Sequence, residues 1–378
     1  MPNLPFFGDA KAEKRIAPGE RDEEGGKGGQ REYIFYKFFK LFVFFSCAIM
    51  MKSPGPALAE RKEIASMYLC DTHADTLYRR FEEGKKSGWS SASCDITGEK
   101  LRQGHVTVQT MALFVGGSPD LRDIARAFEG MWLEGERLEK EGLRRVLDYR
   151  DGVEGESAFI YSVEGCDLLK DRPELLENWR TRGVRMAALT WNYENCVGTP
   201  AKIDADAPLK PFGREAVREM VRLGIAPDAS HLNERGFWDL LEMGVAPVAS
   251  HSCCRALCGH CRNLSDDQLK ALFQAGGYVG VNFYPYFLND QGRADLDTLC
   301  DHVVHMLELG GENHVGFGSD FDGIECKPKG LSGPQDFPAL LKRLSQRGLD
   351  ESLIARLAGK NLLAYYDFFD PRKISAEE

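Results

Sequence analysis

The chain carries no excess of positive charge. It has 58 Asp and Glu against 48 Lys and Arg, a formal net charge of −10 at pH 7. Phosphate backbones are bound through a basic face, so this balance argues against a nucleic-acid partner. A long apolar run is also missing. In residues 33–51, YIFYKFFKLFVFFSCAIMM, Lys37 and Lys40 leave only 41–51 uninterrupted. That is too short for a membrane-spanning helix, which needs about 20 residues. The body holds no internal repeat and no long low-complexity segment, which argues against a solenoid or a propeller. The eleven cysteines are scattered, and Cys70, Cys166, Cys196 and Cys300 lie in apolar runs. That pattern suits reduced, buried thiols better than a disulfide framework.

What is present is enough for a sizeable core. The 378 residues, 43% of them hydrophobic, can form one large α/β barrel or two ordinary domains. The first sixty-odd residues stand apart. Residues 8–32 are charged and Gly-rich and read as disorder. The run 41–51 has the length of a signal-peptide h-region, and Ala57-Leu58-Ala59 offers a small-residue cleavage site. Against export, the preceding segment is long for an n-region and Lys52 follows the run. The competing reading is an over-called start, with the protein beginning at Met51 or Met67. The expected organisation is an extension over 1–66, one domain over 67–370 and a tail over 371–378. The expected location is the cytoplasm, with export as the alternative if 41–59 is a signal.

From Met67 the pattern alternates between strand and helix. Strands are expected at Tyr68–Asp71, His105–Val115, Ala158–Val163, Val184–Thr190, the two runs ending in Ser230-His231 and Ser250-His251, Gly277–Phe283 and Val315–Gly318. Helical spacing fits 121–147, 170–181, 213–223, 233–243, 265–275, 294–310, 335–347 and 351–358. Eight strands alternating with helices predict a (β/α)8 barrel of the TIM type. The polar residues support it. His73, Asp75, Glu164, His231, His251 and Asp320 all fall at C-terminal ends of expected strands, the face on which barrel active sites are built.

Three imidazoles and three carboxylates, with no thiol among them, suit Zn2+, with Mn2+ and Fe2+ as alternatives. His73 and Asp75 are two apart, so they face the same way and can reach one ion. Glu164 can bridge to a second ion, completed by His231 and His251. Two ions about 3.5–4 Å apart can hold a bridging hydroxide and polarise a carbonyl. Asp320 is left as a base or proton shuttle.

The motifs DTHADTL at 71–77, SVEGCDLL at 162–169, GVRMAALTWN at 183–192, DASH at 228–231, PVASHSCCRALCGHCRNLSDDQL at 247–269, GGYVGVNFYP at 276–285 and HVGFGSDFDGI at 314–324 together resemble the membrane dipeptidase (renal dipeptidase) family of zinc metallopeptidases, in its bacterial form. The resemblance runs from about Met67 to Tyr366. It implies hydrolysis of dipeptides by a hydroxide on a binuclear zinc centre. One zinc would take His73, Asp75 and Glu164, the other Glu164, His231 and His251. The family's acid/base aspartate matches Asp320, and its substrate-carboxylate arginine matches Arg262. A planar guanidinium suits that task because it meets a carboxylate bidentately. The family is often dimeric, which makes a homodimer an expectation by resemblance. One position departs. Where the mammalian enzymes have a histidine that holds the substrate carbonyl oxygen, this chain has Trp191, as many bacterial relatives do. An indole N–H can donate a hydrogen bond but carries no charge. The alternatives are an amidohydrolase for N-acyl amino acids or lactones, and a non-catalytic metal-binding barrel.

Several other residues invite chemistry. Cys258-Gly259-His260-Cys261 spells a thiol-disulfide motif, and with Cys253 and Cys254 could form a structural zinc site. Its place inside the loop after the second Ser-His strand favours coincidence. His302 and His305 read as structural, His105 and His314 sit at strand starts, and Asp322 reads as loop-shaping.

Overall fold

The computed structural model describes residues 67–369 apart from 88–89, 115–119 and 171. The expectations for the 1–66 extension and the 371–378 tail lie outside the described residues. Nine parallel strands form one sheet: β1 Cys70–Asp71, β2 Val108–Phe114, β3 Arg144–Arg145, β4 Ala158–Glu164, β5 Val184–Ala188, β6 Ala226–Asp228, β7 Val248–Ser252, β8 Tyr278–Val281 and β9 Val315–Phe317. β1 pairs with both β2 and β9, and β2 pairs with β4. Eight strands therefore close into a ring, while β3 is a two-residue addition beside β4. This is the expected (β/α)8 barrel.

The strands of the ring are buried on both faces, as a parallel sheet covered by helices must be. The helices lay one stripe each against it. Leu121–Lys140 buries Ile124, Phe128, Met131, Gly135 and Leu138, three or four residues apart as an amphipathic helix requires. Asp266–Gln274 starts from a capping box in which Ser265 and Gln268 satisfy each other's backbone N–H. Among the described residues no helix is long and apolar enough to cross a membrane. The ten described cysteines are all free, most of them buried.

Three boundaries differ most from the sequence reading. The helix expected over 121–147 ends at Lys140, where Gly142 with φ +93° turns the chain into β3 at Arg144–Arg145. The second strand starts at Val108, because His105 turns the chain with φ +56° after the helix Gly98–Gln103. The chain also remains helical beyond 358. A π turn at Arg356–Lys360 leads into a helix over Asn361–Phe368. That helix closes the bottom of the barrel. Leu362, Tyr365 and Tyr366 pack with Cys70, Val108, Ala158, Met186, Ala226 and Val248. The Tyr365 and Tyr366 hydroxyls donate to the Ala246 and Arg185 carbonyls. Apolar Ala364 and Phe368 lie on its exposed side, so the segment has no one-sided apolar period to read.

Inside the ring, Thr72 beyond β1 donates to the Ser250 carbonyl of β7 at 2.6 Å. The strands between them carry Gly280 and Gly318, where a Cβ would meet that same carbonyl at 2.3 and 1.8 Å. Only glycine leaves room for this cross-barrel contact.

Candidate metal centre and active site

Five strand ends deliver polar side chains to one rim: His73 and Asp75 after β1, Glu164 at the end of β4, His231 after β6, His251 on β7 and Asp320 after β9. His73 Nε2 lies 3.6 Å from Glu164 Oε2, 3.9 Å from Asp75 Oδ1 and 3.9 Å from Asp320 Oδ1. The other Glu164 oxygen, Oε1, lies 2.9 Å from His231 Nε2 and 3.5 Å from His251 Nε2. Those two imidazole nitrogens are 3.1 Å apart. Glu164 thus turns one oxygen toward each of two donor groups. Asp320 is as close to His73 as Asp75 is, so distance alone does not separate a ligand from a base.

Buried polar atoms are nearly always paired. Here His73 Nε2, Asp75 Oδ1 and Glu164 Oε2 are buried with no hydrogen-bond partner. Within 4.8 Å of one another lie donor atoms of His73, Glu164 and His251, and again of His73, Asp75 and Asp320. Converging orphaned nitrogen and oxygen donors fit divalent cations. The charges are strongly coupled. Burial would raise Glu164, but the His73, His231 and His251 imidazoles around it hold it well below the usual carboxylate range. Burial opposes charge on His73, yet Glu164, Asp75 and Asp320 push it up to about 10. Burial, aided by the Arg262 charge, pushes His231 down to about 3. Burial raises Asp320 to about 6, with His73 pulling the other way.

Neighbouring groups set the imidazole tautomers. His231 Nδ1 donates to Asn192 Oδ1 at 3.1 Å, leaving the Nε2 lone pair toward Glu164. The Ser250 hydroxyl donates to Asp228 Oδ2, so it accepts from His251 Nδ1 at 2.8 Å. The other Asp228 oxygen accepts the Ser230 and Ser250 N–H groups at 2.8 and 3.0 Å. One buried carboxylate therefore organises both Ser-His pairs. Consecutive side chains on a regular strand point apart. The register shift between β7 and β8 at Ala249–Ser252 is the kind of bulge that re-aims a side chain beside a site. His231 and Asp320 themselves have φ of +68° and +64°, the left-handed region that few non-glycine residues occupy outside functional sites.

Asn282, after β8, donates to Asp320 Oδ2 at 3.0 Å. Gly323 packs under two carboxylates, since a Cβ there would lie 2.2 Å from Asp75 Oδ2 and 2.6 Å from Asp320 Oδ1. Arg262 is 4% exposed. Its Nη2 reaches the His251 carbonyl at 3.5 Å, its guanidinium stands 5.5 Å from the Phe287 ring centre, and its Nε is buried without a partner. Trp191 is half-buried, with its ring centre 6.3 Å from that of His231.

All eight residues singled out for the site therefore gather at one end of the barrel. The sequence reading missed Asp228, Ser250, Asn192 and Asn282. Asn282 ends a strand, the same signal that marked Glu164. Asp228, three residues before His231, fell inside the run read as a core strand. Asp322 does shape a loop, accepting from the Thr76 hydroxyl and the Asp95 and Ile96 N–H groups. The Cys253, Cys254 and Cys258 thiols donate to the carbonyls of Asn282, His302 and Tyr286 respectively, three separate neighbours rather than one shared ion. His302 bridges the Cys254 N–H and the Leu288 carbonyl, a structural role.

Asp228→Asn tests the relay. An amide cannot accept from Ser250 while keeping both N–H contacts, so the His251 tautomer loses its setting. Metal affinity measured by chelator competition is expected to fall about 10–100-fold, the usual range for partners of metal ligands, with the circular dichroism spectrum unchanged. Unaltered affinity would remove Asp228 from the ligand machinery.

Comparison with known proteins gives a consistent picture. The sequence model described as Membrane dipeptidase (Peptidase family M19) matches residues 59–366. An uncharacterized dipeptidase of Schizosaccharomyces pombe is 36% identical over 210 residues, 54% of this chain and 51% of its own length. The dipeptidase tcpJ of Claviceps purpurea is 33% identical over 213 residues, 55% of this chain and 50% of its own length. The chain thus spans about half the length of these relatives. Among solved structures, the metallopeptidase dipeptidase AC superposes with a TM-score of 0.71 at 26% identity, covering 80% of this chain and 98% of that one. A metallopeptidase from Rhodobacter sphaeroides, liganded with a phosphinate mimic of the dipeptide L-Ala-D-Ala, gives 0.72 at 24% identity, covering 80% and 99%.

Proposed function

This chain belongs to the membrane dipeptidase family, and on that footing we propose that it is a metal-dependent dipeptidase with two zinc ions. The observation that carries this reading is the division of Glu164 between His73 on one oxygen and His231 and His251 on the other. His73, Asp75 and Glu164 would hold one ion, and Glu164, His231 and His251 the other. When bound, the ions supply Lewis acidity that polarises the scissile carbonyl and lowers the pKa of water.

The chain's own groups do the rest. The Arg262 guanidinium, buried with its Nε unpaired, receives the substrate's terminal carboxylate, a charge-assisted contact strengthened by burial. Asn282 holds Asp320 Oδ2, which leaves Oδ1 facing the site. There Asp320 takes a proton from the attacking water and delivers it to the departing amine nitrogen. In the metal-free site burial raises its pKa to about 6.

The Arg262 role separates a dipeptidase from a general amidohydrolase. Arg262→Ala is expected to raise KM for a free dipeptide by about 10- to 100-fold, the loss of one charged hydrogen bond. The same dipeptide amidated at its C-terminus, already a poor substrate, changes far less. Equal losses on both substrates in steady-state assays would remove the carboxylate clamp and favour the amidohydrolase reading.

A further inference from the structure

Four aromatic rings stand in a row along the rim beside the metal ligands. Tyr78, from the helix Thr76–Glu83, meets Phe114 edge-on at 4.8 Å between ring centres. Phe114 meets Trp191 edge-on at 4.8 Å. Trp191 in turn lies 5.5 Å from Tyr193. Edge-to-face contacts of this kind hold rings in fixed orientation. The row adjoins the reacting centre at two points. Phe114 is the β2 residue in register with Glu164, and Trp191 neighbours the His231 ring. Tyr193 at its outer end is 57% exposed, so an apolar surface continues from the ligands out to solvent.

Its position relative to Arg262 gives this surface a meaning. Around the closed ring the strands follow in the order β2, β1, β9, β8, β7, β6, β5, β4, which sets β7 opposite β2. Arg262 follows β7 and lies under the His251 carbonyl. Phe114 ends β2. A dipeptide whose carboxylate sits on Arg262 and whose scissile bond lies over the metal ligands therefore extends its amino-terminal residue toward β2 and the Trp191 loop. Resting on the dipeptidase reading, we infer that Tyr78, Phe114, Trp191 and Tyr193 form the wall that selects the amino-terminal side chain. The substrates it favours are dipeptides beginning with a bulky apolar or aromatic residue. Trp191 serves there as apolar surface.

An apolar pocket discriminates about 10–200-fold per methylene, and a wall open to solvent on one side lies low in that range for a whole side chain. The test is kcat/KM of the zinc-loaded protein for Gly-Gly, Leu-Gly, Phe-Gly and Gly-Phe. Phe-Gly and Leu-Gly are expected at least about 10-fold above Gly-Gly. Trp191→Ala and Tyr193→Ala each compress the Phe-Gly to Gly-Gly ratio several-fold, and leave the Gly-Phe to Gly-Gly ratio where it was. Tyr193 is exposed enough that its variant folds even if Trp191→Ala does not. Hydrolysis of all four with a flat preference at the first residue overturns the wall alone. So does equal compression of both ratios. Hydrolysis of none overturns the dipeptidase reading and the wall with it.

Discussion

Asp320→Asn keeps its metal and loses turnover by about 10²–10⁴, the span that general acid–base groups contribute. The substitution preserves volume and the left-handed turn, since asparagine tolerates positive φ better than other non-glycine residues. The amide can still pair with Asn282, but it has no basic oxygen for the proton of the attacking water and nothing to return to the leaving amine. Because Asp320 and Asp75 stand equally far from His73, the variant also decides between two roles. A proton carrier lost leaves metal content at the wild-type value and lowers kcat. A ligand lost lowers metal content first. Elemental analysis beside steady-state kinetics separates the two, and normal turnover would assign the proton to another group.

Glu164→Gln has a different and larger consequence. Among the described residues its carboxylate is the only negative group in contact with His73, His231 and His251 together, and the amide offers one weak oxygen in its place. Both donor groups are weakened at once. After dialysis against a mild chelator, metal content is expected to fall from the proposed two ions per chain to below one, and turnover to fall further than in Asp320→Asn. Retention of one ion at wild-type affinity would show that Glu164 serves a single site. The lost charge also bears on folding, because protonated His73, pushed up to about 10 by the surrounding carboxylates, loses its nearest one. Without the carboxylate, three imidazoles within one buried pocket lose their common partner, so the metal-free variant is expected to unfold at lower denaturant concentration than the metal-free wild type.

The barrel was legible because each strand is short, apolar and followed by helical spacing, and because the polar residues fall at one end of those strands. The candidate ligands were read from the same rule. Residues that act through another side chain were hidden. Asp228 and Ser250 lie within or beside core strands, and their importance depends on a hydrogen bond between β6 and β7 that no single-strand pattern encodes. The bulge that turns Ser250 and His251 toward each other is likewise a property of pairing with β8. The last helix escaped because its exposed side carries apolar Ala364 and Phe368 beside Asp367, so no polar face marks it. The aromatic row joins residues from three separate elements, so only the folded ring brings Tyr78, Phe114 and Trp191 into one surface.

Closure of the ring by β1 against β9 sets the order of events during synthesis. Asp71 holds Ser319 across 248 residues of chain, and the Asp320 N–H donates to the His73 carbonyl. The first ligands leave the ribosome long before the strand that completes their surroundings. Contacts of such separation form late, because loop closure must precede them. A growing chain therefore carries His73 and Asp75 before Asp320 can join them, and the proposed catalytic site is complete only when the final barrel strand has docked. On that reading the topology itself keeps the site unfinished while the chain is being made.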